Sequence, residues 1–153
     1  MNRRDFVRRS CAACLGATAL APLLALEGCA PTLFATGRLN SDGLLLDLKE
    51  FVLPGGRRAQ PTYRPYVVVR HDDLAYPIGV FRHGPAEFTA LWLQCSHLGA
   101  ELQVNGEALQ CPAHGSEFSN RGAVTSGPAD APLRVFPVTV DNQHLFIDLR
   151  RPV

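Results

Sequence analysis

The sequence predicts an all-β domain of the sandwich or barrel kind behind an N-terminal export segment. Three observations carry this. β-prone runs of about five to eight residues are stopped repeatedly by Gly, Pro, Asn or Asp. Glycine and proline are plentiful, at 13 and 12 of 153 residues, which suits many turns. After the N-terminal segment, no stretch holds a helical period over three turns. The length fits one ordinary domain with a short appendage, and 46% apolar residues suffice for a buried core. A net charge of +1 gives no electrostatic case for nucleic acid.

The chain opens "MNRRDFVRRSCAACLGATALAPLLALEGCAPT". A basic start, an apolar run from Cys11 to Leu26 and small residues beyond it have the layout of a secretory signal over residues 1–30. Arg3 and Arg4, with the hydrophobic Phe6 two places on, resemble the twin-arginine export signal, whose route carries folded proteins and suits a cofactor inserted in the cytoplasm. The run is shorter than the ~20 residues of a spanning helix and is interrupted by Gly16 and Pro22. It can still serve as an uncleaved anchor helix if the bilayer accommodates the mismatch. "LEGC", ending at Cys29, offers a third option, since it resembles a lipoprotein box. Cys11 and Cys14 form a C-x-x-C, but inside an apolar run they behave as small hydrophobes. Residues 31–43 read as a linker, and the domain is expected over 44–153.

Within that domain "LLLDLKEFVL" (44–53) ends at a Pro-Gly-Gly turn, and "YVVVR" (66–70) ends at His71-Asp72-Asp73. "YPIGVFR" (76–82) ends at His83-Gly84-Pro85, and "FTALWLQ" (88–94) runs into Cys95. "LQV" and "ALQ" flank Asn105-Gly106, the dipeptide suited to a two-residue hairpin because both positions tolerate positive φ. "LRVFPVTV" (133–140) and "HLFIDL" (144–149) close the chain, joined by Asp141-Asn142-Gln143.

Two loops carry the chemistry. Cys95 and His97 follow one strand; Cys111 and His114 follow another, with the hairpin between them. Each loop has a glycine just beyond its histidine, Gly99 and Gly115, which lets the backbone bend tightly and turn amides inward. Such a set can hold one zinc ion tetrahedrally. It can also hold a [2Fe–2S] cluster with both cysteines on one iron and both histidines on the other. The unequal C-x-H and C-x-x-H gaps are unusual for zinc.

"CSHLG" (95–99) and "CPAHGSEF" (111–118) resemble the two cluster-binding boxes of Rieske iron–sulfur proteins, and "GPA" (127–129) matches the proline loop, here with Pro128, that covers the cluster in that family. The resemblance spans residues 44–153 and implies an antiparallel β-sandwich with a small cluster-binding subdomain. It implies that Cys95 and Cys111 hold the buried iron and His97 and His114 the outer one. Neutral imidazoles in place of thiolates favour the reduced state, and exposed histidines can couple a proton to the electron. The disulfide cysteines of cytochrome bc-type Rieske proteins are replaced by Ala100 and Ala113, so packing and hydrogen bonds must hold the second loop. Of the two hydroxyls that the family aims at the cluster, Ser116 is present and the tyrosine is replaced by Phe118. One donor fewer implies a potential in the middle of the range of about −150 to +300 mV.

The remaining features take simpler readings. His71, His83 and His144 are expected as exposed turn residues, and Trp92 as core or as packing under the cluster. Arg57-Arg58 after Gly55-Gly56 lacks the Lys-Ser/Thr of a phosphate loop. No nucleophile stands beside a plausible base, so the chain reads as an electron-transfer subunit of an oxidoreductase rather than an enzyme alone. Its expected partners are electron donor and acceptor proteins of cytochrome b or c type, or a quinol, at the periplasmic face of the cytoplasmic membrane. Attachment would be through the N-terminal segment or a lipid on Cys29. A Rieske-type ferredoxin serving an oxygenase and a zinc-stabilised binding module are the alternatives.

Overall fold

A computed structural model describes residues 34–54 and 61–150. The export or anchor segment with Cys11, Cys14 and Cys29, and the Gly55-Gly56-Arg57-Arg58 stretch, lie outside the described residues. The strands in chain order are β1 (Phe34–Ala35), β2 (Arg38–Leu39), β3 (Gly43–Asp47), β4 (Tyr66–Val69), β5 (Ile78–Arg82), β6 (Phe88–Trp92), β7 (Gln103–Asn105), β8 (Ala108–Gln110), β9 (Glu117–Ser119), β10 (Val124–Ser126), β11 (Val135–Phe136), β12 (Val138–Val140) and β13 (His144–Asp148). They form three sheets, β1-β4-β5-β6-β11, β12-β13-β3-β2 and β10-β9-β8-β7.

The middle layer explains the apolar texture of "YVVV". Val67 and Val69 join Leu44, Leu46, Leu145 and Ile147 in one core. Val68 points the other way, into a second core with Leu91, Leu93, Leu109 and Phe118. A sheet buried on both faces needs a near-continuous apolar run rather than alternation. The first core joins it to the β12-β13-β3-β2 sheet; the second joins it to the small β7–β10 sheet. All strand pairs are antiparallel except β1 with β4, which is parallel.

Several local expectations are corrected. Residues 34–43, read as linker, are woven into two sheets through β1 and β2. Asn40 makes this possible, its side chain accepting the amides of Asp42 and Gly43 at 2.9 and 2.8 Å to turn β2 into β3. The run 44–53 is strand only to Asp47. There the Asp47 carboxylate accepts the Lys49 amide at 2.9 Å and caps a 3-10 turn over Leu48–Phe51. In the β7–β8 hairpin Asn105 pairs with Ala108, so the turn is Gly106-Glu107 rather than Asn105-Gly106. Gly106 has φ +63°, and among the described residues only glycines have positive φ, which is the turn with glycine first. Pro137, lacking an N–H, separates β11 from β12. His71, His83 and His144 are half-buried rather than exposed. His71 and His144 lie 3.6 Å from Asp73 and Asp141, and His83 Nε2 lies 2.9 Å from Thr89 Oγ1.

Candidate metal centre

The two boxes share one backbone frame. In the first, the Cys95 amide donates to Ala100 O at 2.8 Å and the Gly99 amide to Cys95 O at 2.9 Å. In the second, the Cys111 amide donates to Ser116 O at 2.8 Å and the Gly115 amide to Cys111 O at 3.0 Å. The same offsets recur, four and five residues beyond each cysteine. Gly99 and Gly115 make both turns at φ +77° and +76°, where a side chain would be strained.

This frame brings the two predicted cysteines together beyond the ends of β6 and β8, and the two predicted histidines to each other. Cys95 and Cys111 are 2% and 1% exposed and sit among Leu93, Leu102, Leu109 and Phe118. Burial pushes the Cys111 thiol up, but the amides of His114 and Ala113 and the Cys95 side chain outweigh it, so its pKa lies below the ordinary thiol value. His97 is half-buried and His114 exposed, their rings edge to face with centroids 5.1 Å apart. His97 Nδ1 is buried without a hydrogen-bond partner. An unpaired buried polar atom costs about 1–3 kcal/mol, so it calls for a partner that the protein does not supply.

Thiols inside and imidazoles outside are what a two-metal cluster with different donors at its ends requires. The residues present fit the cluster.

The surrounding residues are placed as follows. Ser116 is fully buried, and its Oγ accepts the Ala129 amide at 3.2 Å. Phe118, also fully buried, packs in the apolar cluster that holds both cysteines. Pro128 is exposed beside the second box. Gly127 (φ +93°) approaches so closely that a Cβ would lie 2.5 Å from Ser116 Cα. Trp92 is half-buried, meeting Phe136 and Tyr76 edge to face and donating to Gln94 Oε1 at 3.1 Å.

Two contributors went unread in the sequence. Tyr76 donates its hydroxyl to Gly99 O at 2.6 Å, bracing the first box from β5's entry. Ser96 donates to Ala131 O at 2.6 Å. Ser96 stands between two predicted ligands, which was the one available signal; Tyr76 gave none.

Residues 61–137, from before β4 to just past β11, match the Rieske [2Fe-2S] domain family and contain both boxes. The chain is 32% identical over 97 residues to the cytochrome b6-f complex iron-sulfur subunit 2 of Nostoc sp., covering 62% of this chain and 47% of that protein. It is 38% identical over 113 residues to the cytochrome b6-f complex iron-sulfur subunit of Synechococcus sp., covering 71% and 56%. The chain thus spans about half the length of the curated relatives it matches. A solved structure, the cyanobacterial plasma membrane Rieske protein PetC3 from Synechocystis, aligns with 22% identity and a TM-score of 0.48 over 55% of this chain and 86% of that one. The chain belongs to the Rieske [2Fe-2S] domain family, and its cofactor is a Rieske [2Fe–2S] cluster.

Proposed function

We propose that this member of the Rieske family passes single electrons at the periplasmic face of the cytoplasmic membrane, as a carrier or as a subunit of a quinol- or cytochrome-type oxidoreductase. The carrying observation is the split donor set: two buried cysteines behind, two histidines in front, with His97 Nδ1 unpaired. Cys95 and Cys111 would hold the inner iron, His97 and His114 the outer. A cluster so bound takes up and releases one electron, at a potential raised by its neutral imidazole donors.

The chain's own residues do the rest. Leu102, Leu109 and Phe118 keep water from the thiolates. The Ala113 and His114 amides donate to Cys111 and stabilise its negative charge. Ser116 accepts the Ala129 amide and keeps its own proton for a neighbour. Exposed His114 gives the electron a short way out. The twin-arginine start supports export, and attachment would use the N-terminal segment or a lipid on Cys29. The relatives named as cytochrome b6-f subunits support partners of cytochrome type, or a quinol.

Two experiments test this. Reductive titration of the exported holoprotein should consume one electron per chain while its visible bands bleach; uptake of none would overturn the reading. Replacing Arg3 and Arg4 together by Lys should leave the protein in the cytoplasm. Unchanged export would remove the basis for the location.

A further inference from the structure

We infer that segment 127–131 is a hydrogen-bonded strap that does the work of a disulfide between the two boxes, latching the first through Ser96 and the second through Ser116. The inference rests on the cluster reading above and adds the residues that hold the cluster's two loops together. Alanines stand at 100 and 113, where the bc-type proteins place their disulfide, so no covalent tie is available there. One segment instead reaches both loops. Ser96 Oγ, between Cys95 and His97, donates to Ala131 O at 2.6 Å. Ala129, two residues earlier and 6% exposed, donates its amide to Ser116 Oγ at 3.2 Å.

Ser116 is the one polar side chain fully buried among the described residues, so this bond is shielded from water. Gly127 presses the strap's near end onto the second box: a Cβ there would lie 2.8 Å from Gly115 O and 2.9 Å from Ser116 N. The strap therefore has a packed end on box two and a hydroxyl tie to box one. Ser96 is a positioning residue: removing its hydroxyl removes this tie and changes none of the four predicted donors.

The test compares wild type, Ser96→Ala and Ser96→Thr as full-length holoprotein. Cluster loss is followed by visible bleaching under excess iron chelator, and backbone deuterium exchange is followed by segment. A net hydrogen bond corresponds to a factor of about two to ten. Ser96→Ala should bleach faster by that factor, with faster exchange over 127–131 and unchanged exchange in β4–β6. Ser96→Thr, which keeps the hydroxyl, should behave as wild type. A normally loaded Ser96→Ala that bleaches at the wild-type rate overturns the strap, as does equal loosening of β4–β6. A wild type that never carries iron overturns the cluster reading instead, and strap exchange alone then decides the latch.

Discussion

The rings of His97 and His114 stand edge to face, their centroids 5.1 Å apart and their planes at 90°. They meet because the two boxes turn in the same way, at Gly99 and Gly115, from the ends of neighbouring sheets. The cysteines that begin those turns meet beneath them, inside the second core. Cysteines within and histidines nearer the surface make the consequences of single substitutions distinct.

On the proposed ligand set, removing one donor should remove the cluster. Cys111→Ala and His114→Ala should each abolish the visible spectrum and the bound iron. His71→Ala, which faces Asp73 on the turn after β4, should leave both intact. Iron retained at wild-type stoichiometry in either box variant would contradict the assignment.

Phe118→Tyr should restore the missing hydroxyl. The ring is fully buried in the cluster that holds both cysteines. One added hydrogen bond of ~0.5–1.5 kcal/mol corresponds to a rise of about 20–65 mV in a one-electron potential. Potentiometry reads it directly, and an unchanged potential means that Phe118 does not stand where a donor matters.

Gly127→Ala should loosen the second box and cost about 1–3 kcal/mol, from positive φ and collision with the Ser116 backbone together. Gly106→Ala, with φ +63° but nothing within 4 Å of the added carbon, should cost only the conformational part, about 1 kcal/mol. Denaturant unfolding of the two variants separates the terms. Equal losses would show that the close approach at Gly127 is not rigid.

His83 should contribute an acid-side loss of stability. Burial first, and Arg121 second, lower its pKa from the ordinary 6.5, against the opposing pull of Glu87 and Glu107. The unfolded chain therefore takes up the proton more readily. Stability is full above the unfolded value and falls as pH drops through the folded one. His83→Gln keeps a hydrogen-bonding group without the charge and should show a smaller fall in denaturation midpoint between about pH 7.5 and pH 5. An identical fall in both proteins would contradict this.

Much of this was readable from the chain because it depends on short-range rules. β4, β5, β6 and β13 announce themselves as apolar runs ended by turn residues, and the ligand boxes by spacing. What was hidden depends on distant partners. β9 and β10 are three residues each, polar at two positions or nearly so, and become strands only by pairing with β8 and with each other. β1 is a dipeptide whose place is set by β4, more than thirty residues on. The 3-10 turn after β3 hangs on the single Asp47 cap. Tyr76 and Ser96 act on carbonyl oxygens 23 and 35 residues away, and no local pattern encodes such reach.

The most direct test of the central claim is electron paramagnetic resonance of dithionite-reduced protein, beside assays for iron, sulfide and zinc. The account predicts two irons and two sulfides per chain, as the cluster's composition requires, with a rhombic signal whose average g value lies below that of all-cysteine [2Fe–2S] clusters. A silent sample with stoichiometric zinc would contradict it and leave the domain a zinc-stabilised binding module.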